Sequence, residues 1–241
     1  MIDINKPSLP IFVPQMKRLA LFLLTFLSFS TVFGQGFFCT NVGTQFKYVR
    51  RYADNGEIKW THTMKINNID ILPDGKMEVK HTSNIVNGKE KQMFKGPIEM
   101  YVFIDKNGDV TMNIAGTATA VFQSLFPKAT IKSFGGQTTL PSSMKKGDIL
   151  PDASASVFVF GVKYSVDVTK RSVIGTETIT TTAGTFDCVV VKENKVEKAP
   201  AYKRVTTSYT WYCKGIGFVR HDTYDENMKL ETRESLESIF K

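Results

Sequence analysis

The sequence predicts an all-β or β-dominated domain: a strongly curved antiparallel sheet or open barrel with one short helix. Three observations predict it. Turn signals recur at "ADNGE" (Ala53–Glu57), "LPDGK" (Leu72–Lys76), "VNGK" (Val86–Lys89) and "DKNGD" (Asp105–Asp109). Asn-Gly and Asp-Gly supply the positive φ that tight hairpins need. The runs between these turns are rich in β-branched and aromatic residues, with a period nearer that of a strand than that of a helix. A single segment carries helical spacing.

The elements follow in order. Thr44–Tyr52, Glu57–Leu72, Lys76–Ile85, Ile98–Asp105 and Asp109–Ile114 read as a meander. In "TATAVFQSLFPK" the apolar residues Ala118, Val121, Phe122, Leu125 and Phe126 fall on one helical face. Thr117 is placed to cap that helix and Pro127 to stop it. Its apolar face must be buried, which sets it against the sheet. Strands resume after "SMKKGDILPDA" with Ser154–Lys170, Val173–Thr182, Thr185–Lys198, Tyr202–Cys213, Ile216–Tyr224 and Lys229–Ser238. So many strands in one flat sheet would twist badly, hence the curvature or the barrel.

The first residues stand apart from this pattern. "MKRLALFLLTFLSFSTVFGQ" has basic Lys17 and Arg18, an apolar run from Leu19 to Phe29, and the small residue Gly34 before Gln35. That is a secretory signal peptide over residues 16–34, cleaved between Gly34 and Gln35. The run is short for a bilayer span, which takes about 20 residues. Residues 1–15 hold three prolines and no periodicity, and read as a misassigned upstream extension before the true start at Met16. Phe37 and Phe38 precede Cys39 where a lipid-modification signal needs small residues. The expectation is a soluble exported protein, periplasmic or secreted and not a lipoprotein. Residues 35–241 form a single β-rich domain without a linker.

Charge and motifs exclude more than they assign. The formal charge of +8 falls to +6 when Asp3, Lys6, Lys17 and Arg18 are removed, and the rest is scattered without a basic block. No nucleic-acid partner is expected. The three histidines, His62, His81 and His221, stand singly on predicted strands, so no metal site is expected. "DKNGDV" is a hairpin turn and not a calcium loop. A loop starting at Asp105 would need glycine and an acid where Val110 and Gly116 stand. No nucleophile elbow, phosphate-cradling loop or dinucleotide fingerprint occurs, and no cofactor is expected. Acids dispersed over a sheet would leave no trace of this kind.

In "WYCKGIGFVRHDTYD" (Trp211–Asp225), Cys213 and His221 suggest thiol chemistry at first sight. A thiol nucleophile needs a base in reach and a group that lowers its pKa. Both residues sit on predicted strands, and Gly215 with Gly217 marks a bend between those strands. The reading is strand, glycine bend, strand, with a structural or oxidised cysteine. The hairpin of Thr185–Lys198 and Tyr202–Cys213, turning at Pro200-Ala201, would set Cys188 directly opposite Cys213. Opposed residues lie at Cα separations a disulfide tolerates.

"TTAGTFDCVVVKE" (Thr181–Glu193), followed by W-Y-x-K-G-x-G-x-V from Trp211 to Val219, resembles the TapB-like class of exported bacterial proteins, a domain-of-unknown-function group. The opening C-x(3)-G-x-x-F-x-Y with Y-x-x-N-G, from Cys39 to Gly56, and "LPSSMKKGDILPDA" fit the same class. The resemblance implies an envelope or secreted β-protein with no established reaction, cofactor or catalytic residue. It also implies a bond between Cys39 and Cys188, because the position matching Cys213 is often a small residue in that class. The Cys188–Cys213 hairpin bridge stays open beside it, and both place Cys188 in the bond.

The functional expectation is an exported, non-enzymatic protein whose curved sheet binds an apolar small molecule or lipid, or an envelope protein. Its motive is the aromatic load, with 18 Phe, 8 Tyr and 2 Trp, and a helix that lines a concave face. A structural or adhesive envelope component is the alternative. An exported hydrolase with dispersed acids ranks last.

Overall fold

The structure is a computed structural model that describes residues 36–241. The expected upstream extension, the signal peptide and the Gly34–Gln35 cleavage lie outside those residues. The opening meander forms as predicted. β1 (Gln45–Tyr52), β2 (Ile58–Ile71), β3 (Met77–Asn87), β4 (Ile98–Ile104) and β5 (Val110–Asn113) pair in succession, all antiparallel. Gly56, Gly75 and Gly108 adopt φ of 72°, 79° and 85° in the connecting turns. Asp74 and Asp105 accept backbone N–H groups of Lys76, Asn107 and Asp109, so the turn residues hold their own loops.

The helix α1 (Ile114–Leu125) starts earlier than its apolar spacing suggests. Asn113 is the cap and accepts from the Gly116 N–H at 2.9 Å. Thr117 lies inside the helix, where its hydroxyl donates to the Asn113 carbonyl at 3.0 Å. The buried stripe runs through Ile114, Ala118, Val121 and Phe122.

Two strands went unread in the sequence. β6 (Ile131–Gly135) and β7 (Gln137–Leu140) are short, and only Gly136 separates them. They belong to opposite ends of the sheet. β6 pairs with β8 (Ala153–Val159), and β7 pairs with β5. At Gly135 the backbone runs so close to β8 that a Cβ would sit 2.5 Å from the Ser154 carbonyl oxygen. The predicted strand Ser154–Lys170 is in fact β8 and the start of β9 (Val162–Thr181). They are joined at Phe160-Gly161, with φ of 52° and 78°. Phenylalanine stands where a hairpin of this type usually has asparagine, so the turn had no signature. β9 then continues through a bulge at Lys170, φ 54°, where a break was expected.

β10 (Gly184–Ala199), β11 (Tyr202–Cys213), β12 (Gly217–Tyr224) and β13 (Leu230–Phe240) complete the chain. Cys188 stands directly opposite Cys213, the register the hairpin arithmetic predicts. β13 pairs with β1, and the thirteen strands run in the order β6-β8-β9-β10-β11-β12-β13-β1-β2-β3-β4-β5-β7. The sheet is a nearly closed barrel with one unsealed seam. α1 packs between β4 on one side of the seam and β6 and β8 on the other. Arg171, 1% exposed, spans the same region: it donates to the Pro151 carbonyl at 2.9 Å and meets Glu193 at 3.4 Å.

Candidate functional site

The strand registers sort side chains into an inward and an outward set, and the inward set has two chemistries. From β3 through β5, β7, β8 and β9 the inward residues are mainly apolar: Val79, Val102, Val110, Leu140, Val157 and Val166 are all buried, with His81 and Ser83 on β3, Thr138 on β7 and Arg171 on β9 as the buried polar exceptions. α1 lies against this wall, with Phe122 at 4.9 Å from the Tyr164 ring. Ile114 and Ala115 join Ala155 and Val166 in one apolar cluster.

The opposite wall carries a polar zone beside apolar inward residues such as Tyr48, Met64, Val191, Tyr212 and Leu236. β10 turns Glu193, Lys195 and Glu197 inward, and β11 turns Thr206, Ser208 and Thr210. β12 adds His221 and Thr223, β13 adds Thr232 and Glu234, β1 adds Arg50, and β2 adds His62. All of these are buried. Arg50 organises the centre. Its Nε donates to Glu234 Oε2 at 2.7 Å, and its Nη1 donates to Thr223 and Thr232 at 3.2 and 3.3 Å. Its guanidinium also lies 4.8 Å from the Trp60 ring centre.

The histidines, isolated in sequence, all point into this interior. His62 Nε2 is 3.0 Å from Ser83 Oγ, and His221 Nδ1 is 2.8 Å from Thr210 Oγ1. Burial holds all three imidazoles neutral: His62 is lowered to about 3 and His81 to about 4, and His221 lies well below its ordinary value. His81 and Arg50 add to the effect at His62, and Arg50 and Lys195 at His221. His62 Nδ1 stands 3.9 Å from Glu234 Oε1, yet desolvation outweighs that attraction, so the contact is not an ion pair.

A pH dependence follows. The unfolded chain binds protons at these histidines below about pH 6.5, and the folded chain binds them only near pH 4 or lower. Stability is therefore present above pH 6.5 and is lost as pH falls toward 4. The melting temperature of the mature protein is expected to drop across that window, and His81→Phe to flatten the slope. A profile flat from pH 7 to 4 would contradict the burial.

The polar wall also holds oxygens without a hydrogen-bond partner. Both carboxyl oxygens of Glu197 and the Ser208 hydroxyl lack a hydrogen-bond partner. Glu197 is 3% exposed, and Arg204 Nη1 stands 4.0 Å from its Oε2. Burial raises Glu197 to about 8, against the opposing pull of Lys195 and Arg204. At neutral pH it is a protonated acid inside the barrel, able to donate one hydrogen bond and accept others. Lys59, beside Arg50 and Arg204, is lowered to about 7, chiefly by burial.

The sequence offered little signal for this wall. In "KENKVEKA" both phases of the strand are largely polar, and in "RVTTSYTWY" the aromatic phase is the outward one while the inward phase holds Thr206, Ser208 and Thr210, so such runs read with their polar face in solvent. Cys188 and Cys213 lie elsewhere. They share the outward phase of β10 and β11 with Val190 and Trp211, so the described cysteine pair and the described histidines are on opposite faces of the sheet. No thiol–imidazole pair arises between Cys213 and His221. Among the described residues no group of three or more His, Cys, Asp or Glu is placed to hold a metal ion.

On the outside, a groove of about 480 Å³ is lined by Phe134, Ser154, Ser156, Ser165, Lys163 and Lys198. A second, of about 340 Å³, lies between α1 and β4 and includes Glu78 and Glu99. Glu99 accepts from the Tyr101 hydroxyl, and Glu78 lies 3.6 Å from Lys80.

Comparison with known proteins places the chain. A candidate exported protein with a YmcC-like fold from Bacteroides fragilis superposes with a TM-score of 0.69 at 24% identity, over 86% of this chain and 99% of that one. A candidate lipoprotein from Parabacteroides distasonis gives 0.68 at 24% identity, over 88% and 100%. The likeness at this identity is one of fold. No curated protein matches. Residues 41–236 match the family described as DUF3108-like, and the chain belongs to that family.

Proposed function

We propose that the protein is an exported, non-enzymatic binding protein that holds a ligand inside the barrel, apolar along most of its length and polar at one end. The observation that carries this is the division of the interior, with the unpartnered oxygens of Glu197 and Ser208 on its polar side. Buried polar groups are almost always hydrogen-bonded, and one left without a protein partner is a place for a ligand or water. Roughly eight strands enclose a space that side chains fill or that takes one small ligand, and a barrel of thirteen encloses more.

Export agrees with the relatives, which are described as candidate exported proteins or lipoproteins. Among the described residues no helix is long and apolar enough to cross a membrane. Cys39 is 3% exposed, with Phe37 and Phe38 buried beside it. A lipid-bearing cysteine must leave the core to reach a membrane, so the chain is read as unanchored there. The TapB-like resemblance belongs to this proposal as a finer label than the family match carries, and it adds no reaction. The alternative, a structural or adhesive envelope component, draws its support from Phe134, 59% exposed in the outer groove.

The test is a titration. Mature protein is unfolded, freed of lipid, refolded and titrated with cis-parinaric acid, a fluorescent fatty acid. Saturable binding near one per chain is expected, weakened about tenfold by Glu197→Leu through a lost hydrogen bond. Non-saturable binding, or unchanged affinity in the variant, would contradict the proposal.

A further inference from the structure

The β10–β11 hairpin keeps an unbroken register from its turn to Cys188 opposite Cys213. Directly opposed residues of an antiparallel pair have Cα atoms about 4.5–5.5 Å apart, inside the range of natural disulfides. Each thiol donates to a nearby backbone carbonyl at 3.6 Å, Cys188 to Phe186 and Cys213 to Lys214, and the two lie within electrostatic reach of each other. Cys39 is on the other side of the wall. Its neighbours face the interior: Tyr48 lies within electrostatic reach of Cys39, Phe38 packs on His81 at 5.8 Å, and Phe37 packs on Tyr212 at 6.4 Å. A bond from Cys39 to either outward cysteine would have to pass through the sheet.

We propose that Cys188 and Cys213 form a cross-strand disulfide on the outer face of the barrel, made by exchange with a disulfide-bearing oxidant, and that Cys39 stays a buried thiol. Cys213 is the half-exposed member of the pair, and Cys188 is buried. Cys213 is the more exposed of the two, the facing Cys188 thiol lowers its pKa, and Cys213 together with burial raises that of Cys188, so Cys213 is the thiol that reacts first. Its thiolate attacks one sulfur of the oxidant, forming a mixed disulfide and releasing the other sulfur as a thiolate. Cys188 then loses its proton and attacks the Cys213 sulfur, which expels the second oxidant sulfur. Two electrons and two protons pass to the oxidant, which leaves as the dithiol. The bond fastens the hairpin next to the 214–216 turn, where the Gly215 N–H donates to the Gly36 carbonyl at 2.6 Å. It would thereby hold the surface on which the first described residues rest.

Two arms test the proposal. Purified mature protein, reduced and then incubated with oxidised glutathione, is digested without reduction and mapped by mass spectrometry. The same mapping is done on protein recovered from the exported fraction. Both are expected to yield one cross-linked peptide joining Cys188 to Cys213, with Cys39 alkylated only after unfolding. The double variant Cys188→Ser/Cys213→Ser should melt roughly 5–10 °C below the oxidised protein and alongside the reduced one. Any bridge that includes Cys39, or free thiols at Cys188 and Cys213 in either sample, would overturn the proposal.

Discussion

Arg50→Met is expected to lower the stability of the mature protein by about 3–5 kcal/mol, the cost of stranding one partner of a buried ion pair. Glu234, with a side chain 1% exposed, holds Arg50 through two contacts of 2.7 Å and would keep an uncompensated buried carboxylate. Thr223 and Thr232 would lose the donor that their hydroxyls accept from. A globular domain has only about 5–15 kcal/mol in reserve, so partial unfolding at growth temperature is the expected phenotype. The double variant Arg50→Met/Glu234→Leu removes both charges and leaves apolar groups of similar bulk. It is expected to recover most of the loss, because apolar replacement of a buried pair is often neutral or stabilising. Urea unfolding of the two single variants and the double gives the coupling. A loss below about 1 kcal/mol in Arg50→Met, or a double variant as unstable as the sum of the singles, would show that the pair does not organise the interior.

The second large effect is expected from Phe122→Asp. Phe122 is fully buried on α1 and meets Tyr164 on the apolar wall. An aspartate there would bring a carboxylate against the Tyr164 ring and into the apolar core. The expected cost exceeds about 4 kcal/mol, with Phe122→Leu costing less than about 2. Since α1 packs on both sides of the seam, the variant should also raise amide exchange in β6 and β8 before global unfolding. Unchanged melting of Phe122→Asp would mean that the helix does not close the seam.

What the sequence made legible follows the physics of each signal. Turns built on Asn-Gly and Asp-Gly announced the meander, and the β10–β11 register could be worked out from its turn alone. The helix was visible through Ala118, Val121 and Phe122, although its start was misplaced because Asn113 caps from the end of a strand. β6 and β7 stayed hidden because each is held mainly by a partner distant in sequence, and Gly135-Gly136 reads as a loop. The Phe160-Gly161 turn escaped because tertiary packing, with Phe126 at 5.7 Å from Phe160, accompanies a conformation that phenylalanine does not prefer. The candidate site was the least legible part. Periodicity reveals a face only when that face is apolar, and Glu193, Lys195, Glu197 and Ser208 place polar groups on the buried phase. Pairing of Arg50 with Glu234 across 184 positions leaves no local trace.

The most direct measurement of the central claim is native mass spectrometry of protein taken from its own envelope without detergent exchange. An interior built with one apolar wall and unpartnered oxygens on the other predicts the mass of the mature chain plus one amphiphile, present near one per chain. That mass should return to the bare chain after unfolding and refolding. A native sample whose mass already equals the bare chain would contradict the account.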